Sequence, residues 1–226
     1  MNRCKAALLA LAAIACAGPA CAQETAQENA RRFKLIPFTE MTPEQKKYAD
    51  AVLDGPTSKT GSAAAVPGAP TIGAPFNVYL RSPLLAEELR RVAEYIRFKT
   101  SIPAKLNEFA ILVTARQWGS QYEWFAHHRL ALKAGLKPEI AADLALGKRP
   151  AGMSPEEGAI YDFSQELHTT HAVSDATYKA VVDRFGEQGA VDLIAVNGYY
   201  VLVSMILNVD RTPMPGGAKP PLAPLK

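Results

Sequence analysis

A glutamate and a histidine four residues apart are the residues of this chain whose types and spacing best suit acid–base chemistry. Glu123 and His127 fall on one face of a predicted helix, one turn apart. A carboxylate beside an imidazole favours the protonated ring and fixes its orientation, as a general acid near neutral pH requires. Glu108 begins the preceding predicted helix, before an apolar run, and is a candidate proton carrier if it points inward. His127, Glu123 and Glu108 are therefore the candidate catalytic residues.

Residues near this pair are candidates for binding a substrate, with ordinary structural roles as the alternative throughout. A glutamate at a helix start also interacts favourably with the helix dipole, and Glu/His pairs occur on solvated faces. Ser120 and Trp124 continue the face of Glu123, and Arg116 lies about two turns after Glu108 on roughly the same face. The predicted substrate-binding residues are Arg116, Arg81, Asn77, Ser120, Trp124 and Tyr199. The two arginines are the candidate cations for an anionic group.

The four histidines of the chain do not predict a metal site. His127 and His128 are adjacent, so their side chains diverge by about 100° around a helix and cannot both bind one zinc ion. We expect His128 to face solvent. His168 and His171 end another predicted helix, where contact of a cation with the helix dipole explains them. We therefore predict no metal and no cofactor.

The charge balance favours a small-molecule partner. The formal net charge is +3, and no basic block of five or more residues occurs, so the pattern typical of nucleic-acid or membrane-surface binding is absent from the sequence. The most apolar segment after the N-terminus contains Asp192, Asn197 and Asn208, which oppose a membrane span. We predict a small-molecule substrate, no nucleic acid and no transmembrane helix.

Residues 1–22 are predicted to be a secretory signal peptide. A basic start precedes an apolar run over residues 6–17, and Ala20-Cys21-Ala22 has the small-x-small cleavage pattern. The run is too short for a permanent membrane span, which takes roughly 20 residues. We expect a periplasmic or secreted protein that begins near Gln23, with a lipid anchor at Cys16 as the less favoured alternative.

All the cysteines of the chain fall in this predicted leader. They are Cys4, Cys16 and Cys21, so residues 23–226 contain none. The mature protein would have no disulfide, no thiolate metal site and no thiol catalysis. Its stability must therefore come from burial of a core.

Helix-start signals recur along the rest of the chain, and no segment alternates apolar and polar residues long enough to predict a sheet. Thr42-Pro43-Glu44-Gln45 and Ser154-Pro155-Glu156-Glu157 each place a hydroxyl cap before a proline, with Gln or Glu three residues after the cap. The predicted helices cover residues 43–54, 83–100, 104–118, 121–135, 138–147, 154–169, 174–185 and 187–208. Residues 55–75 are predicted to be a loop over the domain or a mobile flap, and residues 210–226 a proline-rich linker or an arm on a neighbouring subunit. The sequence thus predicts one all-α domain over residues 23–209.

A spaced set of residues at the centre of the chain carries a family resemblance. The set comprises Glu108, His127, Ala131, Gly135 and the Leu-Lys-Pro-Glu-Ile run at residues 136–140. It resembles the carboxymuconolactone decarboxylase family of the alkylhydroperoxidase D-like superfamily. The segment Pro-Phe-Asn-Val-Tyr-Leu-Arg-Ser-Pro at residues 75–83 is similar to a subgroup of that family. The resemblance covers residues 75–150 well and implies an alkylhydroperoxidase D-like fold of about seven to eight helices.

The resemblance also bears on the class of chemistry. In the peroxidase branch of this superfamily, a Glu, two cysteines separated by two residues, and a His form a proton relay. Glu108 and His127 match the Glu and His positions, but Ser120 and Glu123 occupy the cysteine positions. A hydroxyl and a carboxylate cannot cycle through a disulfide, so thiol peroxidase activity is disfavoured. The resemblance further implies a homo-oligomer, either a trimer or a hexamer.

The decarboxylase branch works through acid–base chemistry on a small lactone acid. By resemblance we expect a cofactor-free, decarboxylase-like lyase that acts on a small anionic, aromatic-derived lactone or acid, as in aromatic compound catabolism. Loss of carbon dioxide beside a carbonyl leaves an enolate-like charge, which needs a hydrogen-bond donor and a proton. We expect His127 to deliver that proton, Glu123 to orient and charge it, and Glu108 to relay. Hydrolysis or isomerisation of the same substrate class, and non-catalytic binding, remain open.

Overall fold

The structure, a computed structural model, describes residues 31–62 and 64–224, and the fold is all-helical as predicted. No strand occurs among these residues. The predicted signal peptide, with its three cysteines, lies outside them. Seven helices have eight or more residues: α1 Pro43–Asp54, α2 Pro83–Phe98, α3 Ala104–Gln117, α4 Gln121–Lys133, α5 Pro138–Ala145, α6 Pro155–Thr170 and α7 Asp175–Asp210. The shorter elements are one-turn helices at Pro56–Lys59 and Phe76–Tyr79 and 3₁₀ turns at Phe38–Glu40 and Pro215–Gly217.

The helix starts follow the local signals in the sequence. Both predicted capping boxes form: Thr42 caps α1 by accepting from the Gln45 N–H, and Ser154 caps α6 by accepting from the Glu157 N–H. In each case the third helical residue bonds back to the backbone N–H of the cap, so two otherwise unpaired donors are satisfied. The predicted break at Gly186 appears inside α7 as a single residue with φ 68° and ψ 177°, a conformation that favours glycine.

Helix α3 lies at the centre of the fold. Every side chain from Phe109 to Arg116 is buried, because α4, α6 and α7 pack around this helix and α5 covers part of it. A helix that is apolar on all sides is stable only when it is enclosed in this way. The main hydrophobic core forms around α3, and the predicted catalytic residues lie beside it.

A second, smaller core lies at the N-terminal side of the molecule. It joins Tyr48 and Val52 of α1 to Ile72 of the 55–75 segment and to Leu80. Backbone hydrogen bonds tie this segment down, from Phe38 N–H to Pro70 O and from Gly73 N–H to Ala64 O. The described part of the segment packs on the domain, and its residues Pro56–Lys59 form a one-turn helix that was not predicted.

Helix α7 is long and apolar enough to cross a membrane by length and composition alone. Half of its most apolar window is buried within the fold, and Leu193, Val196 and Val203 belong to the main core. Asp192 accepts hydrogen bonds from the Ser101 N–H and hydroxyl, so this helix also carries buried polar contacts. Packing against α3 and α6 therefore explains its apolar character.

The proline-rich C-terminal tail folds back on its own chain. Gln121, the first residue of α4, donates to Leu222 O at 3.0 Å and accepts from Leu222 N–H at 2.8 Å. The Leu222 side chain is buried in the main core. This two-way amide contact holds the tail against the end of the helix that carries Glu123 and His127.

Candidate active site

The three predicted catalytic residues lie on α3 and α4, which a tight turn at Gly119 joins. Gly119 has φ 55°, a left-handed conformation that glycine adopts without strain, and the Ser120 N–H closes the turn on Ala115 O. The two helices consequently pack side by side. Glu108, near the start of α3, therefore reaches His127 on α4 across nineteen residues of sequence.

His127 lies between two carboxylates. Its Nδ1 is 2.6 Å from Oε2 of Glu108, in a well-formed hydrogen bond. Its Nε2 is 3.0 Å from Oε1 of Glu123, but this oxygen lies off the direction of the N–H bond and forms no hydrogen bond with any described residue. The contact with Glu123 is thus an ion pair that is longer and less well aligned than the contact with Glu108.

Burial and the neighbouring charges have opposite effects on the pKa of His127. Burial of the ring favours the neutral imidazole and lowers the pKa, but the negative charges of Glu108 and Glu123 and their contacts with the ring outweigh it. The result is a pKa raised to about 9, so the ring carries a positive charge at neutral pH. Tyr200 packs its ring edge to face with His127 at 5.0 Å between centroids and keeps that side of the imidazolium out of water.

The cluster lies in the wall of a cavity of about 640 Å³. Glu123 and His127 line this cavity, whereas Glu108 lies behind the histidine and does not. Six aromatic side chains form much of the wall: Phe76, Tyr122, Trp124, Phe125, Tyr199 and Tyr200. The volume is in the usual range for small-molecule sites, and the mixture of aromatic walls with a few polar groups is typical of them.

The 55–75 segment and the C-terminal tail complete the cavity. Thr57, Thr60 and Ser62 line it from the segment, and Pro215 and Pro221 line it from the tail. These two parts of the chain showed no sign of a functional role in the sequence. Burial of side chains such as Ile72 and Leu222 in the two cores, together with hydrogen bonds to their backbone, places them at the cavity.

The predicted substrate-binding residues divide into two groups. Trp124 and Tyr199 line the cavity. Ser120 is fully buried at the start of α4. The side-chain amide of Asn77 forms hydrogen bonds with the backbone of Ile36 and with the Thr71 hydroxyl. Neither Ser120 nor Asn77 reaches the cavity, so their positions indicate structural roles.

The two predicted cations also lie elsewhere, and this corrects the sequence interpretation. Arg116 is buried and donates to the carbonyl of Ala223 in the tail, close to Gly147. Eight helical residues turn about 80° more than two full turns, so Arg116 and Glu108 do not share a face. Arg81 donates to Asn77 and to the backbone carbonyl of Lys34. Both guanidinium groups bind backbone segments to the bundle.

Two arginines that sequence reasoning missed do line the cavity. Arg97 reaches it from the last turn of α2, and Arg129 from α4. Arg129 lies on the same predicted helix as Glu123 and His127, and this proximity in sequence was the only signal that could have made it a candidate binding residue. Nothing in the sequence separates Arg97 from the other charged residues of α2.

Two histidines behave differently from their predictions. His128 stacks on Trp124 at 5.9 Å between ring centroids and lines the cavity instead of facing bulk solvent. His168 turns inward, with Nε2 3.0 Å from the Thr114 hydroxyl. Burial lowers the pKa of His168, so a neutral ring replaces the predicted cation at the helix end. No group of three or more His, Cys, Asp or Glu side chains within residues 31–62 and 64–224 has the arrangement of a metal site.

Comparison with known proteins identifies the fold. No protein-family model and no curated protein matches the sequence. The structure is similar to that of an uncharacterised peroxidase-related protein from Ralstonia eutropha described as an alkylhydroperoxidase AhpD core, with 17% identity and a TM-score of 0.66 over 83% of this chain and 97% of that one. It is also similar to a protein of unknown function from Agrobacterium tumefaciens, suggested to be the antioxidant defence protein AhpD, with 14% identity and a TM-score of 0.52 over 62% of this chain and 96% of that one. The chain therefore has the alkylhydroperoxidase AhpD-like helical fold.

Proposed function

We propose that the protein is a cofactor-free, decarboxylase-like lyase that performs proton transfer on a small anionic lactone or acid derived from an aromatic compound. The observation that carries the proposal is the imidazolium of His127, held between Glu108 and Glu123 in the wall of an aromatic cavity. A charged acid in a largely apolar enclosure can both stabilise developing negative charge and supply a proton.

The hydrogen bond to Glu108 decides which proton His127 gives up. Because Glu108 accepts from Nδ1 at 2.6 Å, the neutral ring that remains after proton donation keeps its hydrogen on Nδ1. The proton that leaves is therefore the one on Nε2, the nitrogen whose N–H is not aligned with Glu123. Glu108 orients the ring, and Glu123 adds the second charge that keeps it protonated.

In the proposed reaction, the bond between the carboxylate carbon and its neighbour breaks, and carbon dioxide leaves. The electron pair stays on the neighbouring carbon and spreads onto the adjacent carbonyl oxygen as an enolate. The His127 imidazolium stabilises that charge and then transfers its Nε2 proton to the carbon. Solvent returns a proton to the ring, so acid and product balance without a redox partner.

Turnover with defined compounds tests the proposal. The purified protein would be offered a panel of lactone carboxylic acids and aromatic-derived keto acids, with carbon dioxide release and product formation followed by NMR. His127→Gln should lower kcat for any active compound by roughly 10²- to 10⁴-fold, the usual contribution of a general acid. His171→Asn is the matched control, because His171 is exposed and asparagine tolerates its left-handed φ of 63°.

Two results would contradict the proposal. Full turnover by a folded His127→Gln protein would remove His127 from the chemistry. If no compound is converted but one raises the melting temperature of the wild type, a small-molecule-binding protein on the same scaffold replaces the enzyme. That alternative requires only the aromatic cavity and no reacting group.

Export to the periplasm and assembly into a trimer or hexamer remain predictions from the sequence. The first would be checked by N-terminal sequencing of the protein from a periplasmic fraction, with Gln23 expected as the first residue. The second would be checked by light scattering of the purified protein. Neither result changes the proposed chemistry, because all three members of the cluster come from one chain.

A further inference from the structure

Arg97 is a cationic side chain in the cavity wall whose charge is not matched by a carboxylate. Its Nη1 donates to the Thr57 hydroxyl at 3.3 Å, and its guanidinium lies over the ring of Phe98. Among the described residues it forms no ion pair, and its buried Nε has no acceptor. A guanidinium in a partly buried site normally has an anionic or carbonyl partner, because the desolvated charge is otherwise costly.

The other arginines nearby either pair with carboxylates or bond two backbone carbonyls. On the same helix, Arg90 binds the carboxylates of Glu87 and Glu94, and Arg91 binds Glu87. The second cavity arginine, Arg129, donates to two backbone carbonyls of the 55–75 segment. Arg97 is thus the cavity arginine with the least engaged donors, since a single long hydrogen bond to a hydroxyl is easily exchanged for a better acceptor.

Aromatic side chains lie in the same cavity wall as Arg97. Arg97 and the aromatic side chains Tyr199 and Tyr200 line the same cavity, and Tyr200 contacts His127. Burial raises the pKa of Tyr199 to about 12 while the charge of Arg97 opposes that rise, so the cation lies within electrostatic range of this wall. A flat apolar ring and a cation are therefore presented to one ligand.

We propose that Arg97 is the residue that binds the carboxylate of the ligand, and that the cavity selects flat cyclic monocarboxylates over their neutral analogues. This inference rests on the proposed function only for the identity of the reacting group, since the carboxylate held by Arg97 would be the one lost. The planar guanidinium fits the two oxygens of a carboxylate, and the aromatic wall accommodates the ring. Arg97 takes the role that the sequence assigned to Arg116 and Arg81.

Binding of unreactive probes tests this without any turnover. Benzoate and its neutral analogue benzamide would be titrated calorimetrically into the wild type, Arg97→Gln and Arg91→Gln. Arg91 is the matched control because it is an exposed arginine on the same helix. Arg97→Gln should weaken benzoate binding roughly 10- to 100-fold and leave benzamide binding within about twofold, because only the charged ligand loses a charge-assisted hydrogen bond. Arg91→Gln should bind both probes as the wild type does.

The wild type alone provides a second measurement that does not depend on folding of a variant. It should bind benzoate at least roughly tenfold more tightly than benzamide. Equal affinity for the two probes, an unchanged benzoate affinity in Arg97→Gln, or equal loss of both probes in that variant would each overturn the inference. If the lyase proposal is wrong, no product forms but the protein still prefers benzoate to benzamide. This result differs from each of the three that overturn the role of Arg97.

Discussion

His127 and His168 are both histidines with polar partners inside the helical bundle, but the charge of those partners differs. His127 has a carboxylate at each ring nitrogen, and its pKa is raised to about 9. His168 contacts the hydroxyl of Thr114, which is linked in turn to the Asn197 side chain, and burial lowers its pKa. Enclosure alone therefore yields a neutral histidine, and only the two glutamates make a buried histidine a charged acid.

The two clusters also differ in what they face. The His127 cluster lines a cavity large enough for a small molecule, whereas Asn197 and the Thr114 hydroxyl are fully enclosed between α3, α6 and α7. A neutral hydrogen-bonded network without access contributes to packing specificity and not to chemistry. Buried polarity is thus evidence for a catalytic site only where charge and access coincide.

The largest effect is expected from removing the charges around His127. In a Glu108→Gln/Glu123→Gln double variant, burial would act without opposition, so the pKa of His127 should fall from about 9 to below 6.5. The measurement is NMR titration of the imidazole protons, with the His168 resonance as the internal control that should not move. A His127 pKa that stays near 9 in the folded double variant would show that the glutamates are not its cause.

The next effect is a loss of stability at alkaline pH that depends on His127. Its folded pKa of about 9 lies above the unfolded value of 6.5, so its contribution is fully present below pH 6.5 and is lost as pH rises through 9. Between pH 6.5 and 9.5 the wild type should lose on the order of 3 kcal/mol of unfolding free energy that His127→Gln does not lose. Urea denaturation at each pH measures this difference, and parallel profiles for the two proteins would contradict it.

A smaller effect is expected from breaking the neutral cluster. Thr114→Val keeps the shape of the side chain but leaves His168 and Asn197 without their shared hydroxyl, so the free energy of unfolding should fall by roughly 1–3 kcal/mol. Turnover and benzoate binding should not change. Thr169→Val is the matched control, because the exposed Thr169 hydroxyl bonds only carbonyls of its own helix and its loss should be nearly neutral. Lost turnover in Thr114→Val with retained stability would break the comparison.

The smallest expected effect is a loss of stability at acid pH that depends on His168. Because the folded pKa of His168 lies below 6.5, the unfolded chain takes up a proton first, and stability should decrease as pH falls below 6.5. His168→Gln should remove this part of the slope. The effect should be small because His168 is only partly buried. Denaturation profiles of the two proteins from pH 6.5 to 5 measure it, and a steeper loss of stability in the variant at acid pH would contradict the expected effect of His168.

Much of the helical fold could be predicted from local patterns. The starts of α1 and α6 follow from their capping boxes and prolines, and the break at Gly186 from the residue type, because each depends on atoms within a few residues. The pairing of Glu123 with His127 was predictable for the same reason, since four helical residues bring two side chains together. The helix Pro56–Lys59 was missed because its single turn lies within a stretch of loop-like composition.

The partners of the site across the sequence were not predictable from local patterns. Helix α3 is buried on all sides, so its sequence does not indicate which face meets α4, and Arg116 was assigned to the wrong surroundings. On α2, charged residues recur, and only the packed structure distinguishes Arg97, which enters the cavity, from its paired neighbours. The inward position of His168 was not predictable either, because its partner is the Thr114 hydroxyl on a helix that is distant in the sequence.

Residue types and short spacings were therefore sufficient for the helices, their ends, the Glu123–His127 pair and the lack of cysteine after residue 22. Packing decided the second carboxylate at His127, the arginine in the cavity, and the lining of that cavity by residues of the 55–75 segment and the tail. The physical reason is the distance along the sequence over which the interactions act. Helical hydrogen bonds and side-chain pairs act over a few residues, but a cavity and the pKa of a buried group depend on every element that surrounds them.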